Sequence, residues 1–260
     1  IIARTICKKD PLDSTSRKFP TIEDSTGEVF NNRRIGILRG SRDLDSSVEN
    51  CFSESISILK SLGAEVEDAE LPSYRFSVPS YYLIAMAEAS SNLSRYDGVR
   101  FGERLGGDKG LKEMYSQTRS NLFGFEVKKR ILVGAFALSA GYKGKYYDKA
   151  NLVRHSLRQE YSNLLENYDL LVSPVVPTTV FTLGEAGKDS INTYKCDEFT
   201  ILANLIGCPA ISIPSGFDRE GCPIGLQMMA GVGEDQKLLM GAEEYERHTS
   251  SKRQIPKWCV

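Results

Sequence analysis

The chain has 260 residues, with 33 Lys and Arg against 34 Asp and Glu, so its formal net charge is -1. Hydrophobic residues make up 41% and charged residues 26%, both ordinary for a globular protein. No apolar run approaches the roughly 20 residues needed to span a bilayer, which argues against a transmembrane helix. The near-zero charge balance also argues against bulk electrostatic binding of nucleic acid, while leaving room for a local basic patch.

Two rare residue types exclude common catalytic motifs. Neither His155 nor His248 has a second histidine at i+4, so the zinc-protease motif is absent. The six cysteines are scattered singly, without a C-x-x-C pair. We therefore predict reduced thiols packed as small hydrophobes, and we expect a cytoplasmic protein, with an organelle matrix as the alternative.

The first six residues, Ile1-Ile2-Ala3-Arg4-Thr5-Ile6, carry no Met and no targeting pattern. They are typical of the last turns of a helix, and the turn-rich segment 10–15 follows them. We expect the chain to be a fragment or a processed product whose N-terminal part lies outside this sequence.

The next elements indicate an α/β protein. Residues 34–39 predict a short buried strand, and Ser46 with Glu49 fits a capping box at the start of a helix. Gly63 suits the position just after that helix, and 64–66 begins a second strand. Strand, helix and strand with short connections are typical of α/β folds.

The middle of the chain predicts helices. Residues 81–93, 112–119 and 125–141 are rich in helix-forming residues, with a break at 96–102. A longer helix runs from Tyr146 to Asn167, because apolar residues recur there every three or four positions. His155 lies off that apolar stripe, so we predict a solvated surface histidine.

The last third of the chain is predicted to contain three strands and two helices. Residues 170–177 predict a buried strand whose prolines end it in a loop at the carboxyl edge of the sheet, where open α/β sheets bind ligands. Residues 197–205 predict a short apolar helix. Residues 210–213 and 224–229 predict two strands of a hairpin, and 235–246 predicts a final helix.

Without a family resemblance, the residues do not identify a reaction or a ligand. Neither a phosphate-binding glycine loop nor a G-x-S-x-G elbow is present, and no serine has a base beside it in the sequence. The run Val127-Lys128-Lys129-Arg130 is typical of a solvated helix face. Composition and spacing alone support only an α/β protein.

Six longer strings add information that composition and spacing do not give. They are 88–102, 124–131, 137–142, 173–179, 207–214 and 223–227. These strings resemble a known family, the A subunits of glutamyl-tRNA(Gln) amidotransferases, and the similarity extends from Asp10 to Glu246. The hairpin strings are similar to the wider amidase-signature family, whereas Glu88-Ala89-Ser90-Ser91-Asn92-Leu93 points to this subunit.

The resemblance implies an amidase-signature fold, a mixed sheet flanked by helices and here incomplete, with residues 1–260 as the C-terminal part of a single amidase domain. It also implies catalysis by a lysine, a serine after a cis peptide bond and a nucleophilic serine, all in a Gly/Ser-rich segment that precedes this region. No string of the present chain matches that segment, so we assign no catalytic residue and expect the chain alone to be inactive.

Three residues match the family's positions for binding free glutamine. The resemblance implies that Tyr81 lines the pocket, that Arg130 binds the α-carboxylate and that Asp197 binds the α-ammonium. This pairing is chemically sensible, because a guanidinium binds a carboxylate through two parallel hydrogen bonds. The alternative interpretation makes Arg130 a surface cation and Asp197 a helix N-cap.

The resemblance further implies a glutamine-hydrolysing subunit that supplies ammonia for the conversion of Glu-tRNA(Gln), or Asp-tRNA(Asn), to the amidated form. The expected partners are the B and C subunits and, through the complex, misacylated tRNA, without a membrane. The chain itself would bind no metal or cofactor, since ATP and Mg²⁺ would be used by the partnered complex. The alternatives are a stand-alone amidase of the same family, a non-catalytic scaffold for partner subunits, and a non-enzymatic binding module.

Overall fold

The structure, a computed structural model, describes residues 2–16, 27–40, 44–184 and 196–249. These residues divide into two compact units. The sheet unit lies within Ile1–Arg75 and Leu157–Val260, and the helical unit is Phe76–Ser156. That residues 1–260 belong to one larger domain stays a prediction.

The sheet unit contains a five-stranded mixed sheet. Its order is β2-β1-β3-β5-β4, in which β1 runs parallel to both β2 and β3, while β5 is antiparallel to both β3 and β4. The predicted α/β fold and the predicted hairpin are both confirmed. The strands are β1 (Arg34–Ile37), β2 (Glu65–Asp68), β3 (Leu170–Pro174), β4 (Ala210–Phe217) and β5 (Pro223–Met229).

Eight α-helices lie in the described ranges. The predicted helices of the middle region are confirmed, with ends shifted by a few residues. The helices are α1 (Ile2–Ile6), α2 (Ser46–Ser61), α3 (Ser77–Asn92), α4 (Leu111–Leu122), α5 (Phe125–Leu138), α6 (Tyr147–Leu164), α7 (Thr200–Ile206) and α8 (Asp235–Thr249).

The start of α2 differs from the sequence prediction. Asp45 is the N-cap, and its side chain accepts a hydrogen bond from the backbone N–H of Ser47 at 2.8 Å. The predicted capping box of Ser46 and Glu49 is wrong, because the Asp45 carboxylate already satisfies an N–H of the first turn and places Ser46 inside the helix. Glu49 Oε1 instead lies 3.9 Å from Arg39 Nη1.

One face of the sheet forms the main apolar core. Side chains alternate between the faces of a strand, so Ile35 and Ile37, Leu170 and Val172, and Leu226 and Met228 all point to the same side. Helices α2 and α8 cover this side through fully or nearly fully buried side chains. These helix residues are Phe52, Leu59, Leu238, Ala242 and Tyr245.

The opposite face contacts α6 and the segment that leads into α7. Tyr161 of α6 donates a hydrogen bond to the Ala230 carbonyl at 2.9 Å, and Gln227 of β5 donates one to the Phe199 carbonyl at 3.0 Å. Gly36 lies on this face. A Cβ there would lie 2.5 Å from Leu171 Cδ2, so glycine is needed for close packing.

In the helical unit, α3 and α5 pack against each other at very short range. A Cβ on Gly134 would lie 1.9 Å from the Met86 carbonyl oxygen, so the two backbones approach more closely than any side chain would permit. The outer side of α5 exposes Phe125, Leu132 and Phe136. His155, at the end of this unit, is exposed as predicted.

The five cysteines in the described ranges form no disulfide with one another, and Cys259 lies outside those ranges. Cys51 is buried and Cys7 is exposed. Among the helices of the described residues, none is both long and apolar enough to cross a membrane.

Candidate functional site

A cavity of about 260 Å³ opens where β3 ends, at the carboxyl edge that the sequence indicated. Its wall is mainly apolar, and it combines the loop after β3 with the β4–β5 hairpin. Cys196 also contributes, and its Sγ lies 3.9 Å from Thr178 Oγ1. The lining residues are Val175, Val176, Thr178–Phe181, Cys196, Ser212 and Pro223–Gly225.

Asp197 follows this wall directly in the chain. Its carbonyl accepts hydrogen bonds from the Ile201 N–H at 3.1 Å and the Thr200 hydroxyl at 3.2 Å, and its side chain is half-buried. The predicted helix over 197–205 is corrected to Thr200–Ile206, because Asp197 lies in the turn before the first helical residue. Asp197 therefore takes part in starting α7 through its backbone.

A buried hydrogen-bond network supports the segment after Asp197. Gln227 Nε2 donates to the Ser173 hydroxyl oxygen and to the Phe199 carbonyl, both at 3.0 Å. The Tyr74 hydroxyl donates to the Glu198 carbonyl at 3.2 Å. Both carbonyls that follow Asp197 are thus held by buried side chains, which restricts the backbone that carries it.

Burial affects the ionisation of the Tyr74 hydroxyl in this network. The pKa of Tyr74 is raised well above its ordinary value, first because burial penalises the phenolate and second because the Glu198 carboxylate lies near. Burial therefore favours the neutral Tyr74 hydroxyl, the form that donates the hydrogen bond to the Glu198 carbonyl. Glu198 itself is only 2% exposed.

The C-terminal end of α7 is also held by a side chain. Arg158 Nε donates to the Leu205 carbonyl at 3.1 Å and to the Ile206 carbonyl at 2.9 Å. A cation at this end satisfies carbonyls that have no helical partner and complements the helix dipole. Gly207 follows in the left-handed conformation, with φ of 81°, which ends the helix.

The helical unit carries the other two predicted residues. Tyr81 on α3 is half-buried, and its ring meets the Tyr82 ring edge-on at 5.3 Å between centroids. Arg130 is on α5, the helix that packs against α3 at Gly134. The structure therefore places Tyr81 and Arg130 on two helices in direct contact.

Arg130 belongs to a small ion-pair cluster on the surface of α5. Its Nε lies 3.1 Å from Glu126 Oε1, and Lys129 Nζ lies 3.6 Å from Glu126 Oε2. The Arg130 side chain is 42% exposed. The 3.1 Å contact engages Nε, and the partly exposed guanidinium is therefore accessible to solvent.

A second cavity, of about 460 Å³, lies at the carboxyl ends of β1 and β2. Arg39 and Asp68 line it and form an ion pair of 2.7 Å. Within the described ranges, no cluster of three His, Cys, Asp or Glu side chains is arranged to hold a metal ion.

Sequence reasoning named Tyr81, Arg130 and Asp197 but missed Gln227 and Tyr74. Gln227 could have been found from the sequence, because it is the one polar side chain in the apolar strand β5. A buried polar side chain needs hydrogen-bond partners, which would have predicted a network around it. Tyr81 and Arg130 lie in the helical unit and Asp197 in the sheet unit. The role of the three residues in binding glutamine stays a prediction.

Comparison with known proteins decides the family. The profile of the family described as Amidase matches residues 1–239. The chain belongs to the amidase family.

Curated relatives show which members of that family this chain is similar to. A protein named as the A subunit of a glutamyl-tRNA(Gln) amidotransferase, from Trichormus variabilis, is 44% identical over 264 residues, covering 99% of this chain and 54% of the relative. A protein of the same name from Geobacter sp. is 42% identical over 244 residues, covering 92% of this chain and 50% of the relative. The chain thus spans about half the length of the curated relatives it matches.

Solved structures agree with this assignment. The A subunit of the glutamyl-tRNA(Gln) amidotransferase from Thermotoga maritima superposes with a TM-score of 0.67 at 33% identity, over 89% of this chain and 46% of that one. A 6-aminohexanoate cyclic dimer hydrolase superposes with a TM-score of 0.73 at 19% identity, over 99% of this amidase chain and 55% of that one. The second likeness shows the fold alone.

Proposed function

We propose that this chain forms the glutamine-binding part of the glutamine-hydrolysing subunit of a tRNA-dependent amidotransferase. The observation that carries the proposal is the 44% identity, over 99% of the chain, to a relative named as the A subunit of a glutamyl-tRNA(Gln) amidotransferase. A resemblance specific to that subunit in the string 88–93 supports it further.

In this proposal Arg130 binds the α-carboxylate of glutamine. Its Nε is occupied by Glu126, and the two Nη atoms form the planar end that matches a carboxylate. Asp197 binds the α-ammonium, and Tyr81 lines the pocket. Holding the amino acid at both ends directs the side-chain amide toward a nucleophile.

The chemical step uses residues outside this chain. A serine attacks the amide carbon, the C–N bond breaks, and ammonia leaves with the proton that a lysine delivers. Water then releases glutamate from the acyl-enzyme. The ammonia is consumed by a B subunit, which uses ATP and Mg²⁺ to amidate Glu-tRNA(Gln) or Asp-tRNA(Asn), while a small C subunit binds the A subunit. We expect the complex in the cytoplasm or in an organelle matrix.

The test compares two neighbouring cations in the complete protein, in complex with its B and C subunits. Arg130→Ala removes the carboxylate ligand, and Lys129→Ala removes the other cation paired with Glu126. We expect Arg130→Ala to lower kcat/KM for glutamine by about tenfold to a hundredfold, because a hydrogen bond to a charged group is worth about 1.5–3 kcal/mol. Lys129→Ala should stay within about twofold of the parent protein.

Ammonium chloride supplied in place of glutamine gives an internal control. Amidation with ammonium should be unchanged in Arg130→Ala, since that reaction bypasses the glutamine pocket. Unchanged glutamine turnover in Arg130→Ala would refute the role of this arginine. Hydrolysis of simple amides without glutaminase activity would favour the stand-alone amidase, and absence of any amide hydrolysis by the complete protein would favour the scaffold.

A further inference from the structure

The carboxylate of Glu126 contacts two neighbouring cations of α5. Its Oε1 accepts a hydrogen bond from Arg130 Nε at 3.1 Å, and its Oε2 lies 3.6 Å from Lys129 Nζ. Glu126 lies in the first turn of α5, four positions before Arg130, so the two side chains project from the same face of the helix. The positive end of the helix dipole also favours a carboxylate in this turn. The orientation of Glu126 is therefore supported by more than its contact with Arg130.

The atom that Glu126 contacts determines how Arg130 can bind a second carboxylate. The N–H donors of a guanidinium lie in one plane, and a carboxylate can bind in parallel either to the two Nη atoms or to Nε and one Nη. The contact with Glu126 engages Nε. A second carboxylate is therefore directed to the end that carries the two Nη atoms, and the plane of the guanidinium is restricted because Nε has to face Glu126.

The contact matters more for the orientation of Arg130 than for the stability of α5. The side chains of Arg130 and Glu126 are 42% and 48% exposed, and water screens the attraction between exposed charges. An arginine side chain nevertheless has many rotamers, and ordering it on binding a ligand costs entropy. A contact that orders the side chain before the ligand arrives reduces that loss and strengthens binding.

We propose that Glu126 is a positioning residue for Arg130, whose carboxylate holds Nε and thereby presents the Nη end of the guanidinium to the α-carboxylate of glutamine. The inference rests on the proposed function, in which Arg130 binds that carboxylate. Glu126 itself would not touch glutamine. Because the contact is exposed, we expect it to contribute about twofold to fivefold in glutamine affinity, less than Arg130 itself.

The test measures glutaminase kinetics of the complete protein, in complex with its B and C subunits. Glu126→Ala should raise KM for glutamine about threefold and leave kcat within about 1.5-fold, because the contact affects binding of substrate and transition state equally. Glu126→Gln keeps an oxygen that can accept from Nε, so its KM should lie between the values of the parent protein and Glu126→Ala. Glu113→Ala is the matched control and should leave KM unchanged, since it removes a first-turn carboxylate from α4 whose partner is the neutral Gln117.

A double variant distinguishes positioning from a direct contact with glutamine. If Glu126 acts through Arg130, adding Glu126→Ala to Arg130→Ala should change KM by less than about 1.3-fold, because the group that it positions is gone. An equal rise of KM in the two backgrounds would show an independent role and overturn the proposal.

The single variants keep this inference separate from the proposed function. If Arg130→Ala weakens glutamine use while Glu126→Ala has the KM of the parent protein, the positioning role is overturned and the role of Arg130 stands. If Arg130→Ala itself leaves glutamine turnover unchanged, the proposed function fails and this inference fails with it. A fall in kcat for Glu126→Ala with KM unchanged would also contradict positioning, since it would indicate a contact made only in the transition state.

Discussion

The two units hold their proposed ligand-binding residues in physically different ways. In the sheet unit, the segment after Asp197 is fixed by Gln227 and Tyr74, whose hydrogen bonds are buried. In the helical unit, Arg130 is held by a solvent-exposed contact with Glu126 on the same helix. Buried hydrogen bonds are costly to lose, whereas exposed ion pairs are screened by water. The fixed part of the proposed site is thus its backbone near Asp197, and Arg130 is the adaptable part.

The largest expected effect concerns the contact of α3 with α5. In Gly134→Ala the new Cβ would lie 1.9 Å from the Met86 carbonyl oxygen, so the helices must separate. We expect a loss of about 3 kcal/mol in the free energy of unfolding, measured by urea denaturation.

The matched control lies at the start of the same helix. A Cβ on Gly124 would meet no atom within 4 Å, so Gly124→Ala should cost no more than about 1 kcal/mol. Similar losses in the two variants would contradict the close backbone approach.

A smaller effect is expected from the buried network of the sheet unit. Gln227→Leu removes the donor to the Ser173 hydroxyl and the Phe199 carbonyl. Leaving these acceptors buried without that donor should cost about 2 kcal/mol in urea denaturation, and the Ile201 amide should exchange faster because the turn at Asp197 loosens.

Gln236→Leu is the corresponding control on α8, where the side chain is half-buried and donates a weak hydrogen bond to the Met240 sulfur at 3.6 Å. Its effect should be below about 0.5 kcal/mol. If Gln227→Leu were equally mild, the network would not fix the segment.

The smallest expected effect tests the exposed contact of Arg130. Glu126→Gln should cost about 0.4 kcal/mol at low ionic strength, and the difference should vanish near 0.5 M NaCl because salt screens exposed pairs (roughly a Debye length of 4–5 Å). Glu113→Gln on α4 is the control, because this first-turn carboxylate bonds the neutral Gln117, and its salt dependence should be limited to the helix-dipole contribution that Glu126 shares. A loss above about 1 kcal/mol for Glu126→Gln would show that Arg130 is as firmly held as Asp197.

Much of the fold could be predicted from the sequence because apolar periodicity and glycine positions report on local structure. The hairpin, the long helix α6 and the helix end at Gly63, where φ is 90°, all follow from such patterns. The α2 cap was displaced by one residue because Asp45 and Ser46 are both good caps, and only their backbone geometry distinguishes them.

The candidate site could be predicted only in part. The cavity at the end of β3 follows from the prolines after a buried strand, and the three residues predicted to bind glutamine came from family resemblance. Gln227 and Tyr74 bind main-chain atoms of residues distant in the sequence. Such partners depend on how strands and helices meet in space, which spacing along the chain does not record.

Gly134 has a consequence for motion. Because a backbone oxygen of α3 lies where a side chain of α5 would otherwise be, rotation of one helix about its axis would drive main-chain atoms into each other. Tyr81 and Arg130 should therefore change position together, as parts of one rigid body. This coupling applies to the two backbones, whereas the exposed Arg130 side chain can still adjust to a ligand without moving either helix.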